Sequence, residues 1–297
     1  MYFGANLVDA EQTREMLANT ATYAREANGL PILLCVDEEG GTVSRVGGRE
    51  GFGVENVGDM RDVGATGDAT RAYDVALHVG TYLADLGFNV DFAPDADVAS
   101  NPSGTMGRRS FGATAEEVAP MVAAQVRGFA DAGVLCAAKH FPGIGGALGD
   151  SHDARIYSDK TLEELRLEEL VPFEAAIAED VPIVMVGHLS LPSVTGGDTP
   201  ASLSHEVVTG ILREELGFGG VVITDSMEMG AATSSVPEGR VAVEALLAGV
   251  DVVLMPPSLE AAYQGVLDAV SSGELDAARV DASVRRVLAV KLGRLGA

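Results

Sequence analysis

The chain has 297 residues, 47% of them hydrophobic, which is enough to bury a large core. Its formal net charge is −24, from 44 acidic against 20 basic residues, which argues against binding nucleic acid, because phosphate contacts need clustered Lys and Arg. No uncharged apolar run reaches the roughly eighteen residues that a membrane-spanning helix needs.

In chain order, short apolar runs alternate with helix-like stretches. Tyr2–Ala5 counts as an opening strand; a helix over 10–28 and a strand over Ile32–Val36 follow. A helix over 68–86 leads to a strand over Phe88–Phe92, one over 114–132 to Val134–Ala138, and one over 161–179 to Ile183–Val186. Then come a helix over 204–216, a strand over Val221–Thr224, a helix over 239–248 and a strand over Val252–Met255. Helices over 258–272 and 279–293 complete the pattern. Thr114 and Thr161, each followed by paired glutamates, and Ser204 before Glu206 are N-cap candidates. Gly217 and Gly249 fall where helices should stop. Continuous apolar strands belong in a parallel sheet covered on both faces, so the expected fold is α/β, either a closed barrel or an open doubly wound sheet. No linker or shift in composition divides residues 1–297, which read as a single domain.

The first residues lack a basic stretch before an apolar run, so no export signal is expected. Cys35 and Cys136 sit in apolar runs without a neighbouring His or Cys at metal-ligand spacing. Both read as core thiols of a reduced, cytoplasmic protein. Lysine occurs only at 139, 160 and 291, and such an acid-rich, lysine-poor surface suits either simple self-repulsion or adaptation to high salt.

Polar residues collect at the C-terminal ends of the strands. Asp37-Glu38-Glu39 follows Val36, Asp95 and Asp97 follow Phe92, Lys139 and His140 follow Ala138, His188 follows Val186, and Asp225 follows Thr224. That edge is where parallel α/β folds bind ligands and where (β/α)8 barrels keep their active sites, so the pattern favours a barrel enzyme. The densest stretch is Lys139-His-Phe-Pro-Gly-Ile-Gly-Gly-Ala-Leu-Gly-Asp-Ser-His152, a loop carrying a lysine, an aspartate and two histidines. Its glycine spacing does not fit a dinucleotide-binding turn.

The motifs resemble the catalytic (β/α)8 barrel of glycoside hydrolase family 3, in its β-N-acetylglucosaminidase branch. They are Val36-Asp-Glu-Glu-Gly-Gly-Thr-Val-Ser-Arg45, Phe88-Asn-Val-Asp-Phe-Ala-Pro-Asp-Ala-Asp-Val98, Gly107-Arg-Arg-Ser-Phe-Gly112, the loop above, Met185-Val-Gly-His188, Pro200-Ala-Ser-Leu-Ser204 and Leu216-Gly-Phe-Gly-Gly-Val-Val-Ile-Thr-Asp-Ser-Met-Glu-Met-Gly230. They occur in the family's order. Against the family's barrel the chain starts at the stretch matching Met1–Asn6, lacking the first strand and helix.

The resemblance implies a retaining exo-β-N-acetylglucosaminidase acting on terminal β-linked N-acetylglucosamine, with neither metal nor organic cofactor. Asp225 corresponds to the nucleophile, His152 to the proton donor and Asp150 to the residue that orients it; Glu228 is the nearby competitor for the nucleophile. An imidazole that titrates near neutrality can donate and then accept a proton. Asp37, Arg45, Arg109, Lys139 and His140 correspond to residues that hold the sugar, and His188 is expected to line the pocket. Where the family's loop commonly has a histidine, this chain has Ile144, which removes a donor and acceptor from the base of the loop. Two alternatives remain: a phosphorylase on the same scaffold, and a catalytically impaired sugar-binding relative. The expected partner is a carbohydrate, not a nucleic acid or a membrane.

Overall fold

The computed structural model describes residues 1–147, 156–229 and 236–295. Five parallel strands form a curled sheet in the order β1 (Cys35–Val36), β2 (Val90–Asp91), β3 (Leu135–Phe141), β5 (Ile183–Val186) and β7 (Val221–Thr224). A separate parallel pair joins β4 (Ile156–Tyr157) to β6 (Leu189–Ser190). The sheet is a half-barrel. At one edge Tyr2 N–H donates to the Cys35 carbonyl at 2.8 Å, and at the other Val252 makes a single parallel bridge to Ile223. Tyr2–Ala5 and Val252–Met255 therefore contribute isolated pairings where full strands were expected. The Asn6 side chain accepts from Phe3 N–H and turns the first segment into a 3-10 turn over Gly4–Asn6. Met255 takes φ 47, a left-handed conformation that breaks the extended run.

The helices are α1 (Ala10–Asn28), α2 (Met60–Gly64), α3 (Ala69–Leu86), α4 (Ala115–Ala132), α5 (Leu162–Leu167), α6 (Val171–Ala178), α7 (Pro192–Thr195), α8 (Glu238–Ala248), α9 (Leu259–Ser272) and α10 (Ala277–Arg294). Thr114 and Thr161 cap α4 and α5 through their side chains as expected. The helix expected over 161–179 is broken, because Pro172 has no N–H and its ring would collide with a preceding turn. The segment expected over 204–216 is a π-helix, Glu206–Glu215, without a side-chain cap bond from its N-cap residue, His205. No helix among the described residues is long and apolar enough to cross a membrane.

Strand parity divides the core. Cys35, Val90, Phe92, Leu135, Ala137, Ile183, Met185, Val221 and Ile223 point inward and pack as one cluster along the barrel axis. The alternate residues Val36, Ala138, Val184, Val186 and Val222 belong to the larger cluster beneath the helices. Phe129, Phe141, Phe173 and Leu83 are fully buried there, each contributing about 2–3 kcal/mol. This packing makes the strand ends a rigid platform.

Candidate active site

Continuing the inward column by two residues per strand brings Asp37 and Glu39 above Cys35, Lys139 above Ala137 and Asp225 above Ile223. They line a cavity of about 550 Å³ at the C-terminal ends of the strands, together with Arg45, Arg109, His140 and Ile144. Lys139 and His140 lie within β3 itself, which runs through to Phe141, rather than on the loop after it.

The ionic groups form one network. Lys139 Nζ sits 3.0 Å from Asp37 Oδ1 and 2.5 Å from Glu39 Oε1. Arg109 grips both oxygens of Glu39 at 2.7 Å and reaches Asp95 Oδ1 at 3.5 Å. Arg45 approaches Asp37 at 3.8 Å, while its buried Nε has no acceptor among the described residues. Burial pushes the Glu39 carboxyl up, but the Lys139 and Arg109 charges hold it well below the usual carboxylate range. Burial pushes the Asp95 carboxyl well above that range, beyond what Arg109 and Lys139 offset, and the neighbouring Glu39 adds to the rise. Burial disfavours the Lys139 ammonium, yet Asp37, Glu39 and Asp95 overcome it and keep the amine charged.

Asp225 follows β7 directly. Its backbone N–H donates to the Val186 carbonyl at 2.9 Å, and its Oδ1 accepts from Ser226 N–H at 2.7 Å. Burial works against its ionisation; His140, His188 and that backbone bond outweigh it and lower its pKa. Asp37, Glu39 and Asp225 thus share the cavity with Arg45, Lys139 and Arg109. The site is therefore close to charge balance in an acidic chain.

Buried carboxylates beside this layer position it. Asp97 accepts from His140 Nδ1 at 2.8 Å, from His140 N–H at 3.2 Å and from Ile144 N–H at 2.6 Å. It thereby sets the ring's tautomer and the path of the loop at once. Ile144 packs against the large core and lines the cavity, so the loop is held through its backbone without a histidine side chain there. Gly145 is required nearby, since a Cβ would lie 2.2 Å from the Val98 carbonyl. Glu38, of opposite parity, turns away from the axis. It accepts from Arg45, Val46 and Gly47 N–H, from the Ser44 hydroxyl and from the Tyr82 hydroxyl, fixing the loop that carries Arg45. Cys35 beneath the site is inert, its thiol pushed up to about 12 by burial.

Of the residues expected at the site, Asp37, Arg45, Arg109, Lys139, His140 and Asp225 meet in the cavity. His188 does not line it. It is buried with Nδ1 at 2.8 Å from Ser202 Oγ and Nε2 at 3.0 Å from the Ser226 carbonyl, bracing the backbone next to Asp225. Asp150 and His152 lie outside the described residues. Glu39, Asp95 and Asp97 were noticed in the sequence only as strand-end acids. Parity with Cys35 and Asp37 would have singled out Glu39. Asp95, Asp97 and His140 bring ligand atoms within 4.8 Å of one another. Asp97 is saturated by N–H donors and Asp95 faces Arg109, however, so this trio is poorly suited to a cation.

The half-barrel carries a cavity lined by carboxylates and cations at the C-terminal ends of its strands, the place where barrel enzymes keep their active sites. The description "Glycosyl hydrolase family 3 N terminal domain" matches residues 1–290, and the chain belongs to that family. It is 30% identical to beta-hexosaminidase A of Pseudoalteromonas piscicida, over 97% of this chain and 52% of the relative. It is 37% identical to beta-hexosaminidase LpqI of Mycobacterium tuberculosis, over 88% of this chain and 68% of the relative. A glycoside hydrolase family 3 beta-N-acetylglucosaminidase from Paenibacillus sp. str. FPU-7 superimposes with a TM-score of 0.94 at 42% identity, covering 99% of this chain and 56% of that one. The chain thus spans about half the length of some of the relatives it matches.

Proposed function

We propose that residues 1–297 form one catalytic domain of a retaining exo-β-N-acetylglucosaminidase, with Asp225 as nucleophile and His152 as acid/base. The observation that carries this reading is an aspartate kept ionised at the end of a barrel strand, in a cavity whose other polar groups suit sugar hydroxyls. Asp37, Arg45, Arg109, Lys139 and His140 offer fixed donors and acceptors on one side of the ring. Lys139 is held by Asp37 and Glu39, so it is already positioned and its charge already balanced when the sugar arrives. In the first step an Asp225 oxygen bonds to the anomeric carbon as the glycosidic C–O bond breaks, and the proton of the His152 imidazolium passes to the leaving oxygen. In the second, neutral His152 takes a proton from water, whose oxygen displaces Asp225 and restores the β-configuration. Asp150 orients His152 and favours its protonated form. The two buried thiols suit a reducing, cytoplasmic setting.

Hydrolysis of p-nitrophenyl N-acetyl-β-D-glucosaminide against the plain β-glucoside tests the reading; a clear preference for the N-acetyl sugar is expected. Preference for the glucoside would overturn the assignment of substrate. Covalent labelling of Asp225 by a fluorinated N-acetylglucosamine analogue tests the nucleophile. Release of sugar 1-phosphate in phosphate buffer would identify a phosphorylase instead.

A further inference from the structure

We infer that the opposite end of the barrel carries a binding site for an oxyanion of the phosphate or carboxylate type. A cleft of about 730 Å³ opens there, at the N-terminal ends of β5 and β7, between α10 and the glycine loop that enters β7. Arg285, Arg286, Phe218, Gly219, Gly220 and Asp180 are among the residues that line it.

The argument begins with charge. Asp251 is fully buried, and three guanidinium groups surround it: Arg213 Nη2 at 2.5 Å, Arg286 Nη1 at 3.0 Å and Arg279 Nη1 at 3.7 Å. Its oxygens also accept from Val222 N–H and the Ser283 hydroxyl, so its capacity is used up. One carboxylate cannot neutralise three arginines, and among the described residues none of the three has another acidic partner within ion-pair distance; Arg213 also donates to the Phe218 and Gly220 carbonyls and Arg279 to the Val250 carbonyl. Burial, reinforced by repulsion from neighbouring guanidiniums, outweighs Asp251 and disfavours the charges of Arg213 and Arg279. Arg285 adds a fourth positive charge and makes neither a hydrogen bond nor an ion pair with the described residues; among them Asp180, the acid on the cleft wall, pairs with none of the four. In a chain of 20 basic and 44 acidic residues, this surplus of cations at one place is conspicuous.

The backbone adds donors and room. The amides of Gly219 and Gly220 donate to no acceptor among the described residues. A Cβ on Gly219 would meet nothing within 4 Å, and the same holds for Gly293 on the α10 wall, where φ is ordinary at both positions. Packing therefore does not demand these glycines. Glycine inside a helix costs about 1 kcal/mol relative to alanine. Uncommitted amides beside a forked guanidinium are the donors that a multivalent oxyanion accepts from.

The test uses inorganic phosphate. At constant ionic strength, balanced with chloride, phosphate should raise the Tm of the intact chain saturably. Arg285→Gln should move the half-saturation point at least tenfold higher while leaving glycoside hydrolysis and the phosphate-free Tm unchanged. Arg285→Lys should restore part of the affinity. Either of two results overturns the inference: a phosphate response no greater than that of chloride, or an R285Q response equal to that of the wild type. The second result would assign the anion to the barrel mouth.

Discussion

Replacing Asp97 by asparagine tests how the site is positioned without touching a residue that meets the sugar. One Asp97 oxygen serves Ile144 N–H, and the other serves both His140 N–H and His140 Nδ1. An amide of the same shape keeps only one acceptor oxygen. If its NH2 turns to His140, the ring can change tautomer and accept, but the His140 backbone N–H cannot. If it turns to Ile144, that backbone N–H is stranded. One buried donor is lost in either orientation, which costs about 2 kcal/mol, or roughly 3 °C in Tm for a domain of this size. Alanine would strand all three donors at roughly 3–9 kcal/mol, comparable to the whole stability of a domain, so asparagine is the informative variant. A His140 ring displaced by about 1 Å should lower kcat/KM by roughly 10²-fold. Thermal unfolding and steady-state hydrolysis of the aryl glycoside measure both effects. Unchanged Tm and unchanged kcat/KM would refute the assignment of Asp97 as the anchor of this loop.

Other outcomes follow from the same geometry. Asp225→Asn should lower kcat by roughly 10³-fold or more and abolish covalent labelling, whereas Glu228→Gln, on the rim of the cavity, should keep the label; the reverse pattern would make Glu228 the nucleophile. Burial pushes the Asp91 carboxyl well above its ordinary value, and its Oδ2 has no partner. A raised carboxyl is protonated in the fold while the unfolded chain is ionised, so the wild type loses stability as pH rises from about 4 toward the folded-state value. Asp91→Asn keeps the acceptor for Glu38 N–H and removes that loss. Its Tm relative to wild type should thus increase between pH 4 and pH 8, and a pH-independent difference would contradict a protonated Asp91. The charge of −24 predicts a Tm that climbs from low to molar KCl as repulsion is screened; greatest stability at low salt would exclude a salt-adapted surface.

Much of the architecture was legible because it rests on short-range rules. Helix α1 and strands β5 and β7 fall where the periodicity placed them, since caps, left-handed glycine stops and apolar runs are local signals. The end segments Tyr2–Ala5 and Val252–Met255 read as strands but have a ladder neighbour on one side at most. Pairing depends on what lies alongside, and a local pattern does not contain that.

The site divides in the same way. Strand-end position was enough, from sequence, to bring Asp37, Lys139 and Asp225 to one edge of the sheet; the shared layer came from the structure. Only the tertiary structure decided which neighbouring acids face the cavity and which hold the backbone around it. Glu38 is drawn to three backbone N–H groups, Asp97 to His140 and the Ile144 N–H, and Glu39 to Lys139 and Arg109. Likewise His188, placed at a strand end like the others, turned out to brace Ser226 and not to face the cavity. The upward shift of the Asp95 carboxyl and the unbalanced arginines around Asp251 also belong to this level. They arise from burial and from partners 14 to 70 residues away along the chain, which no local reading of the sequence contains.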